Sequence, residues 1–100
     1  MSSRYTVRLS PLVVDFLPTL GLSLRREAKR ALAGLQTEQG DIKALGDSLD
    51  GYSRLRVGPY RIIFRYRPGR VIECVYMNRR ALVYEVFERE MLDKLRDESG

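Results

Sequence analysis

Arginine is the residue type in this sequence that is best suited to bind a charged ligand, and the arginines are clustered. Eight arginines lie between residues 54 and 80, at positions 54, 56, 61, 65, 67, 70, 79 and 80, with Glu73 as the single acid of that stretch. This stretch therefore carries a charge of +7, although the whole chain of 100 residues carries only +5. Charge concentrated in this way indicates a polyanionic partner, because charge that serves only solubility is usually spread over the surface.

The residue types that are missing narrow the chemistry further. The chain has no histidine, which excludes Ser-His-Asp and Cys-His machinery and most zinc sites. We therefore expect no metal and no cofactor. Cys74 is the only cysteine and lies in an apolar strand pattern, so we expect it in the core. Any acid–base chemistry must then use carboxylates, tyrosine, lysine or water.

The pattern of apolar and polar residues predicts the strands and helices that position these arginines. Residues 4–9 alternate as a strand does. Ser10 and Pro11 open a first short helix, and a second helix begins with Ser23 as its cap and ends at Gly40. The other predicted segments are a turn-rich link at 41–51, strands at 52–57, 60–67 and 70–77, a segment at 78–84 that leads out of the last strand, and a terminal helix at 85–96.

The short turns Gly58-Pro59 and Pro68-Gly69 join the last three strands, so these strands form an antiparallel meander. In the middle strand one face is apolar and the other, with Arg61, Ile63 and Arg65, is mostly arginine. The sequence predicts a single α+β domain over residues 1–100. Two N-terminal helices pack on one face of an antiparallel sheet of about four strands, and the arginines form a concave surface on the other.

The order of these elements and one sequence motif resemble the RelE/ParE superfamily of bacterial toxins. The motif is L-D-G-Y-S-R-L-R-V-G-P-Y-R-I-I-F-R-Y at residues 49–66, where a basic strand is followed by glycine, one residue and Tyr-Arg-Ile. A second match is the Arg-Arg pair at residue 80 followed by Val83 and Tyr84. The resemblance covers nearly the whole chain and implies a RelE-like fold.

The resemblance also implies roles for individual residues in RNA cleavage. Basic residues on the second and third strands of such toxins bind the scissile phosphate, and an arginine and a tyrosine near the C-terminus act at the ribose and the leaving group. The residues that match the first role are Arg54, Arg56 and Arg61, with Arg65 as a further phosphate-binding candidate. Those that match the second role are Arg80 and Tyr84. Arg79 is an alternative to Arg80, because the spacing in that loop varies.

Elementary chemistry agrees with these roles. RNA cleaves itself when its 2′-hydroxyl attacks the adjacent phosphate, so an enzyme needs only to position the RNA, neutralise charge and transfer protons. Arginine presents a planar fork of donors that fits phosphate oxygens and stabilises the added negative charge of the transition state. Arginine is a poor general acid because it stays protonated. Tyrosine is then the best candidate for the base, since nearby positive charge favours its ionised form.

The leading hypothesis is a metal-independent mRNA endonuclease. The resemblance implies that it acts on ribosome-bound message and that an antitoxin protein silences it. The alternative is a gyrase inhibitor of the ParE type, which has no chemical need for the Arg80–Tyr84 pair, and a third possibility is an inactive protein of the same fold. The sequence has no apolar run of transmembrane length and no signal-peptide pattern, so we expect a cytoplasmic protein that does not engage the membrane.

Overall fold

The computed structural model describes residues 4–99, and the side chains of residues 4–93. The helices and strands, in chain order, are β1 (Thr6–Leu9), α1 (Pro11–Phe16), α2 (Leu22–Gly34), β2 (Ile42–Ala44), β3 (Ser53–Val57), β4 (Tyr60–Arg67), β5 (Val71–Arg79) and α3 (Arg80–Ser99). Short 3₁₀ turns at Leu17–Thr19, Leu35–Thr37 and Asp47–Leu49 follow α1, α2 and β2. None of the helices in this described part combines the length and apolar character needed to cross a membrane.

The predicted α+β class is confirmed, and the sheet has one strand more than expected. The strand order is β1-β5-β4-β3-β2, and β3, β4 and β5 form the predicted antiparallel meander. The additional strand β2 lies in the segment that was predicted as a turn-rich link and pairs with β3 at the sheet edge. The sheet is mixed rather than wholly antiparallel, because β1 pairs with β5 in parallel.

The two N-terminal helices begin and end at recognisable signals, with two corrections to the prediction. Ser10 caps α1, since its side chain accepts a hydrogen bond from the Val13 amide. Ser23 does not cap α2, because the helix already begins at Leu22 and Gly21 takes the cap position. The second helix also ends before Gly40. A 3₁₀ turn follows α2, and Glu38 then adopts the left-handed conformation with φ 54°.

The layer formed by α1 and α2 covers one face of the sheet. Its core is a cluster of buried apolar residues from both helices and three strands, among them Val13, Leu35, Leu55, Ile62 and Phe64. On β4 the residues of this face alternate with those of the other, as the sequence predicted. Cys74 is buried in the same cluster, and burial raises the pKa of its thiol to about 12, so the expected core role of Cys74 is confirmed.

The opposite face was predicted to be an arginine surface, and this prediction is wrong for the middle of the sheet. Helix α3 lies against that face and encloses a second apolar cluster with Leu49, Ile63, Tyr76, Val83 and Phe87 as its buried residues. The helix begins at residue 80 rather than 85 because the apolar stripe of α3 starts one turn earlier, at the fully buried Val83. The arginines are therefore divided between the two ends of the sheet face.

A β-bulge decides which residues of β5 join this second cluster. Phe64 pairs with Cys74 but Ile63 pairs with Tyr76, so Val75 is an additional residue on β5. The bulge shifts the alternation by one residue and turns Tyr76 toward α3, where its ring stacks on Phe87 with centroids 5.8 Å apart. Tyr76 is therefore a packing residue of the second cluster.

Candidate functional site

The turn between β3 and β4 holds two of the predicted catalytic residues in place. Gly58 adopts φ 55°, a conformation that glycine takes at little cost. The Gly58 carbonyl accepts a hydrogen bond of 3.0 Å from Nη1 of Arg61, and the Pro59 carbonyl accepts one of 2.9 Å from the Arg80 amide. One tight turn therefore orients the Arg61 guanidinium and fixes the start of α3.

Arg61 is the centre of the site and is unusual for an arginine, since only 7% of its surface is exposed. Its Nη1 donates to the Tyr60 carbonyl at 2.9 Å as well as to Gly58, so Nη2 and Nε can still meet a phosphate. Burial lowers the pKa of Arg61, and the charges of Arg56, Arg54 and Arg80 lower it further, while Tyr84 acts in the opposite direction. All four of these side chains are therefore within electrostatic reach of Arg61.

Arg54 and Arg56 lie on β3 beside Arg61, which is directly opposite Arg56 in the register. Like charges placed opposite each other destabilise a sheet. The carboxylate of Asp41 offsets part of this repulsion, since its Oδ1 lies 3.0 Å from Nη1 of Arg54 and its Oδ2 lies 3.8 Å from Nη1 of Arg56. The Arg56 side chain remains 56% exposed, so it is open to solvent and to a ligand.

Arg80 and Tyr84 lie one helical turn apart at the start of α3, on the same side of the helix. Both side chains lie within electrostatic reach of Arg61. Tyr84 is half-buried and packs against the second apolar cluster. We define the arginine cluster as Arg54, Arg56, Arg61, Arg80 and Tyr84 together.

The beginning of α3 adds to the positive potential of the arginine cluster. Helix N-termini carry partial positive charge and attract anions. No acidic residue lies in the first turn of α3 to cancel that charge. A shallow pocket beside this end is lined by Pro59, Tyr60, Arg79, Arg80 and Ala81. The positive charge at this end of the sheet is suited to hold an anion such as a phosphate group.

Two of the predicted site residues lie apart from the cluster. Arg65 is four residues from Arg61 on β4, roughly 13 Å along the strand, and its Nε lies 2.8 Å from Oε1 of Glu73. The hydrogen bond to Glu73 raises the pKa of Arg65. Arg79 shares the pocket with its neighbour Arg80. It pairs with Tyr60, however, whose ring packs with the α1–α2 layer, so strand alternation turns Arg79 toward that other face. The phosphate-binding roles of Arg65 and Arg79 stay predictions that their positions do not favour.

For the RNA cleavage that the sequence analysis predicts, we expect Arg65→Ala to keep the rate within about twofold of that of the parent protein, because the Arg65 guanidinium is already paired with Glu73. The free energy of unfolding should fall by about 0–1 kcal/mol, as for other exposed ion pairs. Cleavage assays and urea unfolding measure the two quantities. Glu73→Gln is the matched control, and a loss of cleavage in Arg65→Ala alone would show that Arg65 does act on RNA.

Sequence reasoning missed one residue of this site. Asp41 lies 13 residues before Arg54, in a segment that was predicted as a link, and β2 pairing brings it to the arginines. The aspartate-rich composition of residues 41–51 gave no indication of which acid would face the cluster. Within the described residues no three histidine, cysteine or carboxylate side chains are grouped so as to hold a metal ion.

Some proteins of known structure have a fold similar to that of this chain. No protein-family model matches the sequence, and none of the curated proteins matches it. Solved structures do match. The RelBE2 toxin–antitoxin complex from Mycobacterium tuberculosis has a chain with a TM-score of 0.66 and 21% identity, over 77% of this chain and 99% of that one. The RelE–RelB complex from the archaeon Pyrococcus horikoshii matches with a TM-score of 0.65 and 25% identity, over 80% and 97% of the two chains.

A third match is the YoeB/ParE toxin from Agrobacterium tumefaciens, with a TM-score of 0.62 and 13% identity over 74% of this chain and 96% of that one. These structures match the α+β fold of this chain, as the resemblance of residues 49–66 implied. The chain therefore has the fold of the RelE/ParE-type toxins of toxin–antitoxin systems.

Proposed function

We propose that this chain is the toxin of a type II toxin–antitoxin pair and that it inhibits translation by cleaving mRNA. The observation that carries the proposal is the arginine cluster, in which a buried, carbonyl-anchored Arg61 is surrounded by Arg54, Arg56, Arg80 and Tyr84. Structural similarity to RelE and YoeB/ParE toxins supports a toxin of this class. A cytoplasmic location follows from the proposed substrate.

The proposed reaction uses the RNA's own 2′-hydroxyl. Arg54, Arg56 and Arg61 bind the non-bridging oxygens of the scissile phosphate, and Tyr84 in its phenolate form takes the proton of the 2′-hydroxyl as its oxygen attacks phosphorus. The bond from phosphorus to the 5′-oxygen breaks, this oxygen takes a proton from water, and the hydroxide that remains takes the proton back from Tyr84. The products are a 2′,3′-cyclic phosphate and a 5′-hydroxyl. Arg80 stabilises the charge that develops on the leaving side.

Preorganisation is the protein's main contribution in this mechanism. The two carbonyls that bind Nη1 of Arg61 hold the guanidinium in one orientation before substrate arrives, so little reorganisation is needed in the transition state. The arginine cluster contacts phosphate, which carries no base sequence. The cluster therefore does not select which phosphate of the RNA is cut. Binding of the message to the ribosome would select it, by holding one phosphate at the arginine cluster.

Primer extension on a translated message tests the proposal. Purified protein is added to a translating extract, and the same message without ribosomes serves as the control. We expect new RNA ends only where ribosomes are present. In parallel, purified DNA gyrase is assayed for supercoiling. Inhibition of gyrase with no cleavage of the message would contradict the proposal and favour the ParE-type alternative.

We also expect an acidic, partly disordered antitoxin segment to cover the arginine cluster, because exposed positive charge attracts such chains. Its affinity should fall about tenfold or more when salt is raised from ~0.1 M to ~1 M, since the Debye length falls from about 10 Å to about 3 Å. Calorimetric titration of the toxin with its antitoxin measures this dependence.

Two variants with the same change in net charge distinguish binding at the arginine cluster from attraction to the overall positive charge. Arg56→Ala removes an exposed member of the cluster and should weaken antitoxin binding, whereas Arg26→Ala removes an exposed arginine of α2 and should not. Binding that is insensitive to salt, or a complex in which the arginine cluster stays uncovered, would count against masking by charge.

A further inference from the structure

Asp41 is an acidic side chain placed inside a site whose other charged groups are arginines. Its backbone carbonyl accepts hydrogen bonds from the Arg56 amide at 3.0 Å and from Nη1 of Arg54 at 2.9 Å. Its carboxylate then reaches both guanidinium groups, at 3.0 Å to Arg54 and 3.8 Å to Arg56. The sheet edge therefore holds the Asp41 backbone beside the arginines, and the carboxylate, whose side chain is 53% exposed, reaches them from there.

The chemistry of this contact resembles that of the proposed substrate. Two oxygens of one anion face two guanidinium groups, as two oxygens of a phosphate would. A hydrogen bond from Arg54 and the charges of Arg54, Arg56 and Arg61 lower the pKa of Asp41. The carboxylate is consequently ionised at neutral pH, and its negative charge competes with any other anion for the same donors.

We propose that Asp41 is an internal competitor of the RNA phosphate: it occupies Arg54 and Arg56 in the free protein and must be displaced when RNA binds. The inference rests on the proposed function, since it concerns the same site. Asp41 weakens binding to isolated phosphate groups and so favours a message that several contacts hold in place.

The alternative role, in which the carboxylate is needed to orient Arg54, is less well supported by the geometry. Nη1 of Arg54 also donates to the backbone carbonyl of Asp41, and that bond does not depend on the side chain. Arg61 is held by carbonyls of the Gly58–Pro59 turn and the start of β4. Removing the charge of Asp41 therefore leaves Arg54 and Arg61 oriented by backbone carbonyls and frees Arg56 to meet a phosphate.

Asp41→Asn tests the proposal, because asparagine keeps the size and an acceptor oxygen but removes the charge. The probe is a short, fluorescently labelled single-stranded RNA with every 2′-position methylated, so that 2′-oxygen attack cannot occur. We expect Asp41→Asn to bind this probe about three- to tenfold more tightly than the parent at ~0.05 M salt, as removal of one nearby like charge predicts. The gain should shrink as salt rises.

Asp50→Asn is the matched control. It makes the same change in net charge in the same segment, at an exposed residue outside the cluster, and should alter affinity by less than about twofold. Asp41→Glu keeps the charge and should bind like the parent. Weaker binding by Asp41→Asn, an equal gain in Asp50→Asn, or tighter binding by Asp41→Glu overturns the proposal.

The two proposals can fail separately. Primer extension with the parent protein decides whether it cleaves RNA at all, whereas the methylated probe reports only on binding. A parent that binds the probe without cutting the message refutes the nuclease function but not the role of Asp41. Cleavage by the parent together with unchanged binding in Asp41→Asn refutes the role of Asp41 alone.

Discussion

For the proposed mRNA cleavage, we expect Arg61→Met to lower the rate by about 100- to 1000-fold, the effect of removing one preorganised donor from a developing negative charge. Arg61 is the residue whose charge is coupled to all the other members of the cluster, and its guanidinium is oriented before substrate arrives. Binding of the methylated RNA probe should also weaken, because in the proposed reaction Arg61 contacts phosphate in the ground state as well as in the transition state.

The same substitution should leave the protein folded. Burial lowers the pKa of Arg61, which means that the folded environment disfavours its charge. Replacing a buried charge by an apolar side chain of similar size is often neutral or stabilising. Loss of the bonds to the Gly58 and Tyr60 carbonyls opposes this gain. We therefore expect the free energy of unfolding, measured in urea, to change by less than about 1 kcal/mol.

Arg61→Lys is the informative companion variant, because it keeps the positive charge but loses the planar fork of donors. It should recover part of the probe binding and little of the cleavage rate. Full cleavage by Arg61→Met in a folded protein would remove Arg61 from the mechanism. Unfolding of Arg61→Met with normal folding of Arg61→Lys would show instead that the charge is a structural requirement.

The meander could be predicted from the sequence because its signals are local. Gly58-Pro59 and Pro68-Gly69 specify turns, and strand β4 was predicted with the bounds that the structure has. The parallel pairing of β1 with β5 and the edge strand β2 could not be predicted in this way. Both depend on contacts between residues far apart in sequence, and β2 has only three residues.

The bulge at Val75 explains why the second apolar cluster was missed. Strict alternation from Ile72 places Cys74 and Tyr76 on one face, so without the bulge Tyr76 is expected on the side of the α1–α2 layer. The bulge turns Tyr76 to the face that carries Ile63, and α3 then has an apolar surface to cover. Ile63, an isoleucine between arginines, was the one local sign of this cluster.

Five of the seven predicted site residues lie together. The positions of the other two depend on contacts with other parts of the chain that the sequence pattern does not reveal. Arg65 was assigned to the arginine surface by alternation alone, but α3 crosses the sheet between it and Arg61 and Glu73 pairs with it. The early start of α3 instead brings Arg80 and Tyr84 together, since it places them one turn apart on the same helix. Their catalytic roles stay predictions that mutation must test.

Tyr84→Phe tests the last of these roles, since it removes one hydroxyl and keeps the ring that packs against the second apolar cluster. We expect cleavage to fall by about 10²- to 10⁴-fold, the usual contribution of general-base catalysis. Binding of the methylated probe should change by less than about twofold, because arginines supply most of the affinity for phosphate. Primer extension on a translated message and fluorescence anisotropy measure the two effects.

Tyr66→Phe is the control, because Tyr66 lies on the α1–α2 side of the sheet and hydrogen-bonds to Glu38. Burial and the bond to Glu38 raise the pKa of Tyr66 to about 12, which makes it unsuited to be the base, so this variant should cleave like the parent. A fall in cleavage without loss of binding, seen in Tyr84→Phe and absent from Tyr66→Phe, assigns a chemical step to the Tyr84 hydroxyl. Normal cleavage by Tyr84→Phe would exclude Tyr84 as the base and leave the arginines to activate the 2′-hydroxyl through water.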